Sequence, residues 1–261
     1  MKAALFYGGK DIRLETITTP EPEPGYVQVK VHASGICGGD IHGYLHQPDQ
    51  PRLPRSEGHE LTGVISGLGE DITQFQVGDR VAIEPTVPCN DCPQCLNGNY
   101  NICSKLRHSG GVQRGGGFAE YMTIPEDNAY HLPDQLSFEA GALSEVYAVA
   151  VHALSRTSVQ PGDLVAVIGS GPVGLAIAQM AHTAGAQAVM VLGKPEQPLR
   201  IAQQMMFCDT INVDRQNPVE EVKAWSRGIG ATVVFEAVGG RANTLQQATE
   251  IAAKRGRICM V

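Results

Sequence analysis

A strand, a glycine-rich turn and the start of a helix follow one another in the second half of the chain, and they constrain the fold more than any other feature. Residues 164–168 form an uninterrupted apolar run that leads directly into a G-x-G-x-x-G turn. The first glycine permits a tight turn, the second lets a pyrophosphate approach, and the third lets helix and strand pack closely. Because strand and helix flank the glycines, the motif predicts dinucleotide binding rather than an ordinary loop. The predicted contact residues are Gly169, Gly171, Pro172, Val173 and Gly174.

Strand-like and helix-like segments alternate beyond Gly162. The predicted strands are 164–168, 188–192, 210–213, 232–236 and 257–261, and the predicted helices are 173–184, 198–206, 219–225 and 244–253. Alternation of this kind is typical of a parallel sheet with right-handed crossovers. We therefore predict a doubly wound α/β domain over residues 151–261. Because such a sheet has a sixth strand, we expect this sequence to be a fragment or a truncated product.

The first part of the chain, residues 1–150, has a different pattern of predicted elements. Its predicted strands are 2–7, 26–33, 61–67, 80–84 and 120–124, and glycines and prolines separate them. Short strands at this spacing indicate a barrel or sandwich. Two helix-like segments within residues 137–158 are expected to link the two domains.

Composition excludes several classes of protein. The net charge of −7 is accompanied by no concentrated basic run, which argues against nucleic acid as the main partner. No apolar segment reaches the roughly eighteen residues of a membrane span. Glycines at positions 8 and 9 interrupt the N-terminus before a signal core can develop, so we expect a cytosolic protein. Seven cysteines then suit metal binding better than a disulfide framework.

Four of those cysteines form a compact motif with the spacing C-x2-C-x2-C-x7-C. Four thiolates on one loop can close a tetrahedral shell that leaves no position for substrate, so the motif predicts structural zinc. An iron–sulfur cluster is the main alternative, and thiols without metal are the other. The predicted ligands are Cys89, Cys92, Cys95 and Cys103.

A second metal site is predicted from residues that lie at the ends of β-like runs. Cys37 follows one such run and His59 precedes another, and each lies beside glycine, where backbone can approach an ion. A catalytic zinc needs three protein ligands and one exchangeable position. Asp40 can hold the second ring nitrogen of a ligating histidine, or it can simply be a turn or helix-capping acid. His42 is either a proton relay or a surface histidine.

The order of these motifs resembles that in the zinc-dependent medium-chain dehydrogenase/reductases, and the resemblance extends over the whole chain. The shared motifs are Cys37-Gly38-x-Asp40-x-His42, Gly58-His59-Glu60, the four-cysteine loop and Val77-Gly78-Asp79-Arg80-Val81. The similarity is greatest to the polyol branch, which includes sorbitol, threonine and sugar-alcohol dehydrogenases. It implies a GroES-like zinc-binding catalytic domain over residues 1–150 and an incomplete Rossmann domain over residues 151–261.

The resemblance also implies roles for individual residues. Cys37 and His59 would bind the catalytic zinc, with Glu60 and Glu145 as carboxylates that ligate directly or through water. From the sequence alone, apart from the resemblance, Glu145 would be interpreted as an exposed acid on a helix. This chain also departs from the family pattern at the next residue, since it has Val146 where many relatives have proline. Relatives commonly carry serine or threonine where Gly39 lies, so the usual proton-relay hydroxyl is missing here. His42, Glu60 or an ordered water would then have to take over.

The choice between NAD and NADP is open in the sequence. An NAD site usually has an acid at the end of the second strand, but this chain has Gly193 and Lys194 there. Lys194 and Arg200 can attract a 2′-phosphate, or Lys194 can remain solvated while backbone contacts hold NAD. We expect Asp at position 193 to shift preference towards NAD.

The resulting prediction is a zinc-dependent enzyme that transfers a hydride between a secondary alcohol of a polyol or sugar and NAD or NADP. Two zinc ions per chain, a substrate cleft between the domains and a homo-oligomeric full-length form, a dimer or tetramer, belong to the same prediction. The alternatives are an NADP-dependent secondary-alcohol or aldehyde reductase and an inactive zinc-holding structural or regulatory fragment. The zinc-free quinone reductases lack the cysteine loop and the pair formed by Cys37 and His59.

Overall fold

The computed structural model describes residues 1–46, 53–109, 115–205, 207–239 and 243–261. The chain divides into two compact units, Met1–Glu145 and Val146–Val261, and each is described by itself. Among the described residues, no helix combines the length and the apolar character that a bilayer-spanning segment requires.

The first unit is rich in short strands. They are β1 (Lys2–Gly8), β2 (Asp11–Thr16), β3 (Tyr26–Ser34), β4 (Arg55–Ser56), β5 (Leu61–Leu68), β6 (Arg80–Ile83), β7 (Thr86–Val87), β8 (Arg107–His108), β9 (Tyr121–Pro125) and β10 (Ala129–His131). They form sheets with the orders β2-β1-β4, β10-β6-β5-β3-β9 and β7-β8. The five-stranded sheet is antiparallel, and alternate side chains from it, such as Val27, Val29 and Ile65, are fully buried in one apolar cluster.

The helices of the first unit are few and short. They are α1 (Gly38–His46), α2 (Pro93–Leu96) and α3 (Phe138–Ala142), and α4 (Ser144–Thr157) begins at the end of this unit. Ser137 caps α3 by accepting a hydrogen bond from the Ala140 N–H at 3.1 Å. The Thr62 hydroxyl donates to the Phe138 carbonyl at 2.7 Å and ties α3 to β5. These bonds hold α3 against the beginning of β5, which follows Glu60 directly.

The second unit alternates strands and helices. They are β11 (Leu164–Ile168), α5 (Pro172–Thr183), β12 (Ala188–Gly193), α6 (Glu196–Gln204), β13 (Cys208–Asn212), α7 (Pro218–Trp225), β14 (Ala231–Glu236), α8 (Thr244–Ile251) and β15 (Ala252–Met260). All pairs in its sheet are parallel, and the order is β13-β12-β11-β14-β15. The strands are buried on both faces, which explains their continuous apolar runs. The predicted combination of a β-rich domain with a parallel α/β domain is confirmed.

Two helices differ from the predicted secondary structure. Helix α8 was expected to reach residue 253, but it ends at Ile251, and Ala252 already pairs with Ala231 of β14. Pairing with the neighbouring strand overrides the helix preference of the two alanines. Helix α1, which follows Cys37, was not among the predicted helices, and Asp40 caps its first turn, which is one of the roles expected for it.

Candidate metal centres and cofactor loop

The four cysteines of the loop converge on one point in the first unit. Their Sγ–Sγ distances are 3.4 Å for Cys92–Cys95 and Cys89–Cys103, 3.9 Å for Cys92–Cys103 and 4.0 Å for Cys89–Cys95. These separations are too long for disulfides, which require about 2.05 Å. Four sulfurs at about 2.3 Å from a tetrahedral zinc ion would lie roughly 3.8 Å apart. The donor set and its spacing therefore fit a closed zinc site.

Backbone N–H groups point at these sulfurs. Cys103 Sγ accepts from the N–H groups of Cys89 at 3.4 Å and Lys105 at 3.3 Å. The N–H groups of Cys95 and Ser104 lower the pKa of Cys92 to about 5. Donors of this kind favour thiolate, which is the form that binds metal. The short helix α2 begins at Pro93, directly after Cys92, and turns Cys95 back towards its partners.

Cys37 lies between the end of β3 and the start of α1. Its carbonyl accepts hydrogen bonds from the N–H groups of Asp40 at 3.1 Å and Ile41 at 3.3 Å, so Cys37 acts as the N-cap of the helix. The Asp40 carboxylate in turn accepts from the Cys37 N–H at 2.9 Å. The Gly39 N–H donates to Cys37 Sγ at 3.4 Å. The first turn of α1 therefore fixes the direction of the sulfur.

His59 and Glu60 lie just before β5, and the three donor atoms of Cys37, His59 and Glu60 fall within 4.8 Å of one another. Gly58 has φ +89°, and a Cβ there would lie 2.8 Å from the Phe118 backbone nitrogen. Only glycine fits this position, so Gly58 determines where His59 leaves the backbone. A soft sulfur, an imidazole and a carboxylate are a donor set that suits zinc, and the three leave a fourth position open.

Charges around His59 favour its protonated form. The Cys37 side chain raises the pKa of His59 to about 9, the charges of Asp40 and Glu145 add to this effect, and burial opposes it. Asp40 Oδ1 lies 3.8 Å from His59 Nδ1, which is longer than a direct hydrogen bond. The half-buried Glu145 is close enough to feel His59 and Glu60, and burial is the main reason that its pKa is raised.

Two glycines shape the space around these donors. A Cβ on Gly35 would lie 2.2 Å from Glu60 Oε2, so the absence of a side chain there makes room for the Glu60 carboxylate. A Cβ on Gly39 would meet only Cys37 Sγ, at 3.7 Å, which is an ordinary contact. His42 is exposed on α1, and its ring centroid is 4.9 Å from that of His46.

The glycine turn of the second unit adopts the geometry that a pyrophosphate needs. Gly169 has φ +116°, and a Cβ on Gly174 would lie 2.0 Å from the Gly169 carbonyl oxygen. A Cβ on Gly171 would meet nothing within 4 Å, so this part of the turn is open. Helix α5 begins at Pro172, with Val173 in its first turn, and the N–H groups at its start are available to an anion.

The end of the second strand contains a contact that the sequence does not reveal. A Cβ on Gly193 would lie 2.2 Å from Ser170 Oγ and 2.6 Å from Ser170 Cβ. Ser170 is buried within the glycine turn, so the two positions are sterically coupled. Lys194 forms an ion pair with Asp214 at 3.1 Å, and both side chains are exposed. Arg200 is exposed on α6.

Sequence reasoning singled out the glycine that precedes His59, but it did not reveal the steric reason for it, which is the close approach of the Phe118 backbone. It missed the room that Gly35 leaves for the Glu60 carboxylate, and it missed the steric pair of Ser170 and Gly193. The contact between Ser170 and Gly193 joins the glycine turn to the end of the neighbouring strand. It also changes the expectation for Asp at position 193, because that substitution alone would collide with Ser170.

The chain combines a β-rich unit that has two candidate metal sites with a unit that has a sheet and a glycine turn of the dinucleotide-binding type. This combination defines the class of metal-dependent dehydrogenases. Residues 23–134 match the family described as the alcohol dehydrogenase GroES-like domain, and residues 172–261 match zinc-binding dehydrogenase. The chain belongs to the zinc-binding alcohol dehydrogenase family, within the medium-chain dehydrogenase/reductases. The predicted resemblance and its oxidoreductase class are thereby confirmed.

Individual relatives support the same placement. A sorbitol dehydrogenase from Bacillus subtilis (strain 168) is 36% identical over 264 residues, which cover 100% of this chain and 74% of that protein. A solved structure described as a zinc-binding dehydrogenase from Sinorhizobium meliloti 1021, bound to NADP, matches with a TM-score of 0.91 and 32% identity, covering 99% of this chain and 75% of the other. An alcohol dehydrogenase structure from Escherichia coli CFT073, complexed with NADH, matches with a TM-score of 0.88 and 32% identity. The match covers 100% of this chain and 75% of the other.

Proposed function

We propose that this protein transfers a hydride between a secondary alcohol of a polyol or sugar and a nicotinamide cofactor, with one zinc ion at an open site and another at a closed site. The observation that carries the proposal is the three-donor group of Cys37, His59 and Glu60, which is distinct from the four-sulfur group. An open three-donor site is the arrangement of catalytic zinc, and a closed sulfur shell is that of structural zinc. The similarity to a sorbitol dehydrogenase supports a polyol as substrate.

The chain's own residues prepare this chemistry. Cys37 and His59 would hold the metal, and Glu60 would complete the set. Glu145 lies outside this three-donor group, although its charge acts on His59, and it would join through water. Asp40 fixes the backbone at Cys37 and places a negative charge beside the His59 ring. When bound, zinc supplies Lewis acidity to an alcohol oxygen, and the nicotinamide supplies the hydride acceptor.

The route of the alcohol proton is the part of the mechanism in which this chain departs from its relatives. Gly39 offers no hydroxyl, and the exposed side chain of His42 lies on α1, three residues along the helix. Glu60 is buried against Gly35 and belongs to the donor group. We propose that His42 or a water passes the proton from the substrate oxygen to solvent.

Two further parts of the proposal concern the whole protein. We infer a homo-oligomer and a cytosolic location, both of which follow from the enzyme class and from the sequence. Light scattering of the purified protein tests the first, and fractionation of the source cells tests the second. A monomer in solution, or recovery in the secreted fraction, would contradict them.

Turnover of a polyol by matched cysteine variants tests the proposed reaction. Cys37→Ala should reduce kcat/KM on sorbitol by at least about a thousandfold, because the metal loses a ligand that holds it in the open site. Cys208→Ala is the control, since Cys208 lies in β13 and belongs to neither donor group. Full activity in Cys37→Ala would refute the assignment. Cofactor binding without turnover in the wild-type protein would favour the inactive zinc-holding alternative.

Cofactor preference is tested by a pair of substitutions. Gly193→Asp alone should weaken both NAD and NADP, because its Cβ would collide with Ser170. Gly193→Asp combined with Ser170→Gly removes the collision and should move the NAD/NADP ratio of kcat/KM towards NAD by at least about tenfold. Ser170→Gly alone serves as the control. An unchanged ratio in the double variant would contradict a role for position 193 in cofactor choice and would weaken the NADP-dependent reductase alternative.

A further inference from the structure

A cavity of about 640 Å³ lies in the first unit, and its volume falls within the range of small-molecule sites. His59, Asp40 and Gly39 line part of it, so the cavity reaches the candidate open metal site. Arg107 and His108 of β8 line it as well. The cavity is therefore bounded both by one of the candidate metal ligands, His59, and by the segment that follows the four-cysteine loop.

Two arginines and two acids line this cavity, and one of the arginines has no ion-pair partner among the described residues. Its two acidic residues are already engaged, because Glu57 pairs with Arg55 and Asp40 accepts from the Cys37 N–H. Arg107 forms no ion pair within the described part of the chain. Arg107 thus brings an exposed guanidinium that has no ion pair, with His108 next to it, to the wall of a cavity of substrate size.

Hydroxyl groups without partners line the same cavity. Ser56 is only 2% exposed, and its Oγ has no hydrogen-bond partner among the described residues. Ser109 Oγ lacks a partner in the same way. Buried hydroxyls are normally satisfied, so two unpartnered ones in a single cavity point to a ligand that supplies acceptor atoms. Guanidinium and hydroxyl donors together suit a phosphate or carboxylate group.

We infer that Arg107, with Ser56 and Ser109, forms a specificity subsite for an anionic substituent, a phosphate monoester or a carboxylate, on the polyol substrate. The inference rests on the proposed function, since the alcohol to be oxidised would lie at the open metal site. Arg107 is expected to contact the substrate at a distance from the reacting carbon. The preferred substrates would then be polyol phosphates or sugar acids rather than neutral polyols.

The test compares kcat/KM for sorbitol, sorbitol 6-phosphate and L-idonate in the wild-type protein and in Arg107→Gln. We expect at least one anionic substrate to exceed sorbitol by about tenfold or more, and Arg107→Gln to reduce that ratio about tenfold to a hundredfold. Comparing sorbitol 6-phosphate with L-idonate shows whether the subsite prefers a phosphate or a carboxylate group. Lys30→Gln, an equal change of charge at an exposed position on β3, should leave the ratio unchanged.

A ratio of kcat/KM values that Arg107→Gln does not change would overturn the inference, as would a preference for sorbitol over both anionic substrates.

Binding of inorganic phosphate, measured by calorimetry, gives a readout independent of turnover. Wild type should bind phosphate at least about tenfold more tightly than Arg107→Gln, and equal affinities would refute the subsite even if no substrate is turned over. Ser56→Ala should weaken phosphate binding without lowering the melting temperature, because its hydroxyl has no partner in the described protein. Absence of turnover with intact phosphate binding would instead contradict the proposed function alone.

Discussion

The two candidate metal sites of the first unit are built in opposite ways. Four sulfur donors come from one loop between Cys89 and Cys103, and they are the complete tetrahedral set. The other site takes donors from Cys37 at the start of α1 and from His59 and Glu60 before β5. One site is local in sequence and closed, whereas the other depends on the fold and is open. A closed site can stabilise a loop, and only an open one can admit a substrate.

The difference also concerns what holds the donors. Backbone N–H groups within the loop donate to the cysteine sulfur of Cys103, so contacts within the loop orient this donor. At the open site, glycines make the arrangement possible, because Gly35 and Gly58 each leave space that a side chain would fill. We therefore expect mutations at the first site to affect stability and mutations at the second to affect activity.

The largest expected effect comes from breaking the closed site. Cys103→Ser should lower the melting temperature by about 10 °C or more, because the closed site loses one of its four ligands and with it the structural metal. Calorimetry measures the shift, with Cys208→Ser as the control that removes a thiol outside both donor groups. Equal melting temperatures for the two variants would contradict a structural role for the four-cysteine site.

Gly58→Ala should have a smaller effect on stability and a strong effect on turnover. Its positive φ and its contact with the Phe118 backbone cost about 1–3 kcal/mol when a side chain is added. The strain displaces His59, and a shift of about 1 Å at a reacting centre reduces activity roughly a hundredfold. Gly78→Ala is the control, since Gly78 also has positive φ but a Cβ there would meet nothing within 4 Å. If both variants retained wild-type kcat, Gly58 would have no positioning role.

The contrast between local and fold-dependent sites explains which features of the protein could be predicted from its sequence. The cysteine spacing and the glycine turn are short, local patterns, and the five parallel strands follow from apolar runs buried on both faces. Contacts between distant residues were not accessible, as Ser170 against Gly193 shows. Helix α1 was missed because Gly38 and Gly39 are poor helix formers, and the bonds that join its first turn to Cys37 are visible only in the structure.

The smallest expected effect is at Gly39. The structure leaves room for Gly39→Ser, since the new Cβ would meet only Cys37 Sγ at an ordinary 3.7 Å. Serine has a better helix propensity than glycine by about 0.5 kcal/mol, so stability should rise slightly. A hydroxyl beside the open site should raise kcat for alcohol oxidation by a few-fold, up to about tenfold. Gly39→Ala separates the effect of the hydroxyl from that of the added carbon, and equal kcat values for the two variants would exclude a relay role for this position.

Zinc content measured by mass spectrometry tests the contrast between the two sites most directly. The wild-type protein and Cys37→Ala/His59→Ala, each purified without added metal, should be compared after circular dichroism has established that both are folded. We predict two zinc ions per chain in the wild type and one in the variant, because the four-sulfur site is independent of the open site. Equal zinc content in the two proteins, at either one or two ions per chain, would contradict the assignment of an open zinc site to Cys37 and His59.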